Sequence, residues 1–554
     1  MVKIFCKVVV LFFVVMLANN AAAQLGVEKK TFTREDSLRG SYGAGRVGWD
    51  VLRYDLTVKP DFPSKTISGN NIITFYDTGA KRMQVDMQEP MMIDSVVYEG
   101  KLLPIEREGN VFWVTFRDPN AMYKIKPGSR KIAVYFHGKP VEAKNAPWDG
   151  GWIWTKDEQG RDWATVACQG LGASVWYPCK DYQADEPDSG ATLSMIVPDT
   201  LVGVGNGRLI NSSKNGDGTS TWKWEVKSPI NNYNIIPYIG KYVNFTDQMK
   251  GEKGLLDLSY WVLDYNLEKA KKQFAVVKPM IKCFESWMGP YPFYEDSYKL
   301  IDAPHLGMEH QSGVAYGNKY GMGYLGKDLS GSGWGLKFDF IIVHESGHEW
   351  FANNITSKDI ADMWIHESFT NYSETMFVEC EFGKKAGREY VIGTRKNVTN
   401  DIPIIGRYGV NEEGSGDMYY KGGNMLHTIR QIINNDVLFK NILRGLNREF
   451  YHQTVTTEQV EKYMIDKSGK DLSKIFDQYL RTIKIPELQF KIEGSQIAYK
   501  WANVVKGFNM PVKLINGKWL YPTESEKKIS LSNAGGKELA VAPDFYITVK
   551  EIKF

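Results

Sequence analysis

The sequence predicts an α+β protein of several domains: an antiparallel β region first, an α-rich region second, and a small β module last. Three stretches of patterning predict it. Apolar and polar residues alternate from about Trp49 to Tyr242, apolar residues recur at helical spacing from Leu267 to Leu480, and alternation returns beyond Pro486. A chain of 554 residues is also long for one core, since domains run to roughly 100–200 residues.

In the first region Tyr54-Asp55-Leu56-Thr57-Val58, Ile72-Ile73-Thr74-Phe75-Tyr76 and Lys131-Ile132-Ala133-Val134-Tyr135-Phe136 read as half-buried strands. Turn clusters such as Ser68-Gly69-Asn70 and Asn215-Gly216-Asp217-Gly218 separate such runs. The period changes after about residue 262. Leu267 to Trp287 is helical and stops at Met288-Gly289-Pro290, and further helices are expected over 337–354, 362–382, 421–434 and 457–480. Leu488-Gln489-Phe490-Lys491-Ile492, Ile529-Ser530-Leu531 and Phe545-Tyr546-Ile547-Thr548-Val549 then form the closing β module. The expected divisions are 1–23, 24–242, 243–485 and 486–554. Between Gly307 and Gly335 stand nine glycines in 29 residues, either a long loop or backbone that another chain must approach closely.

Charge is nearly balanced, 68 basic against 65 acidic residues, which excludes a protein that holds nucleic acid through bulk charge. Aromatic residues make up 13%, which excludes extended disorder. Lys3 and Lys7, the apolar run Val8 to Ala18, and Ala21-Ala22-Ala23 before Gln24 read as a secretory signal peptide over 1–23, with a membrane anchor as the alternative. No other stretch is apolar enough to span a bilayer, so the expected mature protein is exported, to a periplasm or the medium, with no stable membrane span. Its four cysteines, Cys168, Cys179, Cys283 and Cys380, are neither a disulfide scaffold nor a CxxC cluster; Cys168 and Cys179 either pair or are buried thiols.

His344-Glu345-Ser346-Gly347-His348 fits HExxH inside an apolar helical run. Residues i and i+4 share a helix face, so both imidazoles reach one ion. Zinc accepts neutral imidazole nitrogen and carboxylate oxygen, and a catalytic zinc keeps a position open for water beside Glu345 as general base. A third ligand is expected from a neighbouring helix, and Glu367, nineteen residues after His348, stands in the first turns of the next one.

HExxH, eighteen residues and then Glu resembles the signature of the gluzincin aminopeptidases, the aminopeptidase N and leukotriene hydrolase group. The run His348-Glu349-Trp350-Phe351-Ala352-Asn353-Asn354-Ile355-Thr356 is similar to that family's zinc helix, and Trp49-Asp50 and Trp176-Tyr177-Pro178-Cys179-Lys180-Asp181 to its N-terminal β domain. The resemblance covers nearly the whole expected mature chain. It implies a thermolysin-like catalytic domain over 243–485, whereas the small β-sandwich-like module after it rests on the returning alternation. The resemblance also implies one Zn2+ per chain held by His344, His348 and Glu367, with Glu345 as the base. Leu306-Gly307-Met308-Glu309-His310 is similar to the family's GxMEN segment, departing at Leu306 and His310. The resemblance makes Glu309 the anchor for a free α-amino group, with Gly307 and Met308 beside the substrate backbone. Gln169 falls where the family places a second amine contact, although a structural amide in a turn fits it as well. Tyr419, in Tyr419-Tyr420-Lys421-Gly422-Gly423, matches a tyrosine that donates to the oxyanion. His305, His310 and His366 lie beside these motifs; for His366 both packing and a pocket role are open.

These features together predict a zinc aminopeptidase acting on peptides with a free N-terminus. The alternatives are a thermolysin-like endopeptidase, which needs no amine anchor, and a catalytically silent peptide-binding homologue.

Overall fold

The computed structural model describes residues 31–117, 126–535 and 539–552; the expected leader over 1–23 lies outside them. The first region is built on an eight-stranded sheet. Across it lie Arg208–Lys214, Thr219–Val226, Ala191–Pro198, Trp49–Asp61, Thr66–Asp77, Gly128–Gly138, Met92–Tyr98 and Lys101–Leu102. Trp49–Asp61 buries Trp49, Val51, Tyr54, Leu56 and Val58. The alternation skips a residue at Arg53 because the register with Thr66–Asp77 shifts between Val51 and Arg53, a bulge that turns Tyr54 inward. One pairing departs from the antiparallel expectation: Trp49–Asp61 runs parallel to Ala191–Pro198, with Tyr54 opposite Ala191. Alternation reports which face is buried and carries nothing about strand direction.

The α-rich region begins with a five-stranded sheet in the order Tyr242–Gly251, Gly254–Leu263, Tyr298–Asp302, Val314–Tyr316 and Gly307–Met308. This sheet is a partition. Leu256, Leu258, Tyr260, Leu300 and Val314 enter the core of the helical region, while Trp261, Leu263, Ile301 and Ala315 enter the core of the first β region. Strand periodicity thus supplies both cores from one sheet. The short strand Gly307–Met308 lies at its edge, so part of the glycine-rich stretch is strand rather than loop.

The helices follow the expected order with three interruptions, the first a 3-10 turn at Phe274–Val276 inside the run expected from Leu267 to Trp287. Two helices lie outside the expected segments, Lys384–Gly393 and Asp436–Glu449. The segment expected to be helical over 337–354 is α-helical only from Phe340 to Gly347; beyond it the backbone leaves helical geometry at Phe351 and Ala352. The segment expected over 457–480 splits into Thr457–Ser468 and Ser473–Arg481, ended between them by Gly469 at φ +63°. Among the described residues no helix is long and apolar enough to cross a membrane.

The closing module has a four-stranded sheet, Lys527–Ser530, Gln496–Ala502, Glu487–Glu493 and Thr548–Glu551, with a hairpin of Val512–Lys513 and Trp519–Leu520. Its Leu488, Phe490, Tyr499 and Trp501 share one core with the helices. Cys168 and Cys179 are buried free thiols, whereas Cys283 and Cys380 form a disulfide between the helices Val277–Met288 and Trp364–Phe382. The bond closes a long loop, with a sequence separation of 97. Cys380→Ser is expected to cost about 2–4 kcal/mol. A denaturant titration reads that loss, and reducing agent should reproduce it in the unsubstituted protein only.

Candidate active site

The Phe340–Gly347 helix starts at Asp339, whose carboxylate caps the amides of Ile341 and Ile342 and accepts from Tyr316 and Asn318 side chains. One turn on, His344 and His348 face the Trp364–Phe382 helix. Their Nε2 atoms lie 3.6 and 3.4 Å from the same oxygen, Oε2 of Glu367. The three ligand atoms lie within 4.8 Å of one another, and Glu367 Oε2 is buried without a hydrogen-bond donor. Two imidazole nitrogens and an undonated carboxylate oxygen converging on one point are the donor set zinc takes. Burial opposes charge on His344, but Glu367 and Glu374 outweigh it and raise its pKa well above the ordinary value. The trio is built to hold positive charge.

The opposite ring nitrogens are fixed as firmly. His344 Nδ1 lies 2.7 Å from Glu374 Oε1, and His348 Nδ1 lies 3.0 Å from the Phe351 carbonyl and 3.1 Å from Thr370 Oγ1. Anchors of this kind select the tautomer and aim Nε2. The departure from helical geometry supplies one of them. At Phe351 (φ −129°) and Ala352 (φ +142°) the chain turns, and the Phe351 carbonyl swings onto His348 instead of continuing the helical ladder. Ala352 sits in a backbone region rarely adopted by non-glycine residues, a local strain held by Thr356 Oγ1 donating to its carbonyl. Glu374 is absent from the sequence reading, although a signal exists: it stands two turns after Glu367 on the same helix face.

Glu345 projects from the same turn, buried, with its carboxyl pushed up to about 7 mainly by desolvation and held back by the two histidines. It faces Gly307, where an added Cβ would lie 2.6 Å from Ile341 Cγ2 and 2.8 Å from Glu345 Oε1. Only glycine lets the edge strand run this close. Tyr419 stands at the N-cap position of the helix Tyr420–Ile433, and its ring stacks 6.0 Å from that of His344. Ser368 Oγ, next to Glu367, donates to the Met418 carbonyl at 2.7 Å and ties this cap to the ligand helix. The motif's Lys421 is structural, donating to the Thr482 carbonyl at 2.8 Å.

Glu309 joins the cluster: Glu309, Glu345 and His348 each offer an atom within 4.8 Å of the others. Gln169 Nε2 donates to Glu309 Oε1 at 2.6 Å, so the structure brings this residue to the site rather than leaving it as an isolated turn amide. Tyr233 also donates to Oε1, at 2.9 Å, and Asn353 Nδ2 holds the Glu309 carbonyl at 2.7 Å. Sequence reasoning missed Tyr233 and Asn353. Met308 pairs with Ala315 along the edge strand. The neighbouring histidines are not ligands. His310 Nδ1 is engaged by the Tyr238 hydroxyl and burial lowers its pKa. His366 accepts from the Ser357 amide at 2.8 Å, with burial holding its pKa near 3, as expected of a packed neutral ring. His305 is likewise buried, its pKa lowered by desolvation to about 4.

A helical His pair, a distant glutamate, a carboxylate between the histidines and a second one alongside define a metal site of the zinc-peptidase class. Residues 274–479 match the Peptidase family M1 domain, and the chain carries that domain. It is similar to probable aminopeptidase 2 of Sulfurisphaera tokodaii, 22% identical over 479 residues, 81% of this chain and 58% of that protein. It is also similar to leukotriene A-4 hydrolase of Xenopus laevis, 22% identical over 51% of this chain and 46% of that protein. The chain therefore spans about half the length of these relatives. Among solved structures, the M1 zinc metallopeptidase of Deinococcus radiodurans aligns with a TM-score of 0.64 at 18% identity, covering 80% of this chain and 96% of that one. Native yeast LTA4 hydrolase aligns with a TM-score of 0.62 at 16% identity, over 77% of this chain and 68% of that one.

The role given to Glu374 has a direct readout. Glu374→Ala frees the His344 ring and should weaken zinc affinity by roughly 10- to 100-fold, as outer-shell substitutions do. Competition against a chromogenic chelator measures it, and an unchanged affinity would assign His344's orientation to packing alone.

Proposed function

We propose that this chain is a zinc aminopeptidase that removes the first residue of peptides with a free N-terminus, with one zinc per chain held by His344, His348 and Glu367. The observation that carries this reading is Glu309, fixed through Oε1 by Gln169 and Tyr233 beside the ligand cluster. Both donors fall on Oε1, which leaves Oε2 for the α-ammonium of a substrate, the charge-assisted contact a carboxylate makes best. A peptide whose amino end rests there presents only its first peptide bond to the cluster. An endopeptidase has no use for such an anchor, and a silent binding protein has none for Glu345.

Zinc in this site supplies Lewis acidity, polarising the scissile carbonyl and acidifying the attacking water. The chain's own residues do the rest. Glu345 takes the proton from the water and passes it to the leaving amine, as a buried carboxylate beside the ligand pair is placed to do. The Tyr419 phenol, kept protonated by burial and by nearby carboxylates, donates to the developing oxyanion. The edge strand Gly307–Met308 pairs with the substrate backbone, and the absent side chain at Gly307 lets that strand itself lie against Glu345.

Export is part of the proposal. The leader pattern over 1–23 and the disulfide Cys283–Cys380 both suit an oxidising compartment, a periplasm or the medium.

The test is hydrolysis of aminoacyl arylamides beside their N-acetylated counterparts, with and without a zinc chelator. Chelator-sensitive cleavage of the free-amine set alone is expected; cleavage of the acetylated set would transfer the protein to the endopeptidases. Glu309→Ala should lower kcat/KM for the free-amine set by roughly 10- to 100-fold, the worth of a hydrogen bond to a charged group. Glu345→Gln should retain zinc by elemental analysis while kcat falls at least about 100-fold; retained turnover would remove Glu345 as the base.

A further inference from the structure

The helix Arg34–Gly40 precedes the first β strand and belongs to no sheet. It lies as an arm across three parts of the molecule. Toward the first β region, Arg34 pairs with Glu108, Glu35 accepts from Asn110, and the Leu38 carbonyl accepts from Gln84. Toward the catalytic region, Phe32 lies under the Arg407 guanidinium, and Gly40 rests on the backbone of Val410 and Asn411.

Its end reaches the turn that carries Gln169. Cys168 and Gly172 close this turn through the Gly172 amide and the Cys168 carbonyl, at 2.6 Å. Asn411 holds the Gly170 carbonyl at 3.2 Å from the far side. Arg39 holds the near side. Its Nη1 donates to the Asp181 carbonyl at 2.6 Å and lies 3.3 Å from Asp181 Oδ1, while Asp181 Oδ2 accepts from the amide and hydroxyl of Ser174 at 3.0 and 2.6 Å. Gly172, at φ +102°, packs so tightly on Arg39 and Asp181 that a side chain there would collide with both. Arg39 and Gly40 share one cleft with Gln169, Tyr233 and Asn411.

We propose that Arg39 is a positioning residue for the substrate's amino group. It braces the Cys168–Gly172 turn so that the Gln169 amide meets Glu309 at hydrogen-bonding distance, and through Gly40 the arm sets that turn against the 407–411 loop. The inference rests on the aminopeptidase reading of Glu309. Arg39 touches no reacting atom; loosening it releases the Gln169 amide from Glu309 and leaves the carboxylate less well aimed at the ammonium group.

The test compares two inhibitors, an α-amino hydroxamate and the same hydroxamate without its amino group, on the full enzyme and on Arg39→Ala, Arg39→Lys and Gly172→Ala. Arg39→Ala should weaken the amino compound and raise KM for aminoacyl arylamides by about 10-fold, the scale of one charge-assisted contact, with kcat within about 2-fold. The amine-free hydroxamate should keep its affinity. Arg39→Lys should recover part of the loss, and Gly172→Ala, disturbing the same contact from the other side, should repeat it. Equal weakening of both inhibitors would overturn the positioning role as general damage, as would no change in either. If the unsubstituted enzyme fails to distinguish the two inhibitors, the amine-site reading falls, and this proposal with it.

Discussion

The site depends on the fixing of two imidazole rings from behind. A histidine ring on an exposed helix rotates freely; here the Nδ1 of His344 is pinned by Glu374 and that of His348 by the Phe351 carbonyl. Both Nε2 atoms are then committed to one point with Glu367. The pins are themselves held, since Glu374 accepts from Asn371 at 3.1 Å and from the Tyr390 hydroxyl at 2.7 Å. A buried carboxylate left unpaired would cost several kcal/mol, so this network is either saturated or unstable. The chain has accepted a broken helix and an alanine at positive φ for a carbonyl in the right place. The bend also delivers Asn353, which holds the Glu309 carbonyl and accepts from Asn234 at 2.8 Å. One irregularity therefore serves both the His348 ring and the Glu309 segment.

The hydrogen-bonded cluster around Glu309 is built across the partition sheet. Glu309 follows the edge strand of the catalytic region, whereas Gln169, Tyr233 and Asn234 come from the first β region. Neither region alone makes the site. The sheet that feeds both cores makes the arrangement rigid, because a shift of one region against the other would have to unpack Trp261, Leu263 and Ile301. The N-terminal arm adds contacts to both sides of the same junction, polar ones to the first β region and, on the other side, Phe32 under Arg407 and Gly40 against Val410 and Asn411.

What was legible in the sequence follows from the range of the interaction. His344 and His348 are read from local spacing, because helix geometry alone puts them on one face, and Glu367 follows from the next helix start. Tyr233 is not readable: it meets Glu309 across 76 residues, and nothing local marks one tyrosine among 30. The parallel pairing of Trp49–Asp61 with Ala191–Pro198 and the Cys283–Cys380 bond are hidden for the same reason. The helix break at Phe351–Ala352 is a different case. The apolar pattern continues through Trp350 and Phe351, so periodicity favours helix, and a tertiary contact to His348 overrides it. Glu374 was within reach of spacing arguments, and its i+7 relation to Glu367 is the signal they lacked.

Charge is what makes this cluster a place for cations. Glu309, Glu345, Glu367 and Glu374 are all buried around two histidines, and among the described residues none of the four pairs with a lysine or arginine. Glu413, facing Glu367 and Glu309, is pushed up to about 7 by burial and by those neighbours. A pocket with this excess of carboxylate relaxes by taking up protons or by taking up cations. A divalent ion between the histidines relieves Glu367, and an ammonium group relieves Glu309. Each cation answers a different buried carboxylate, so the excess negative charge of the pocket is divided between two positions rather than gathered at one.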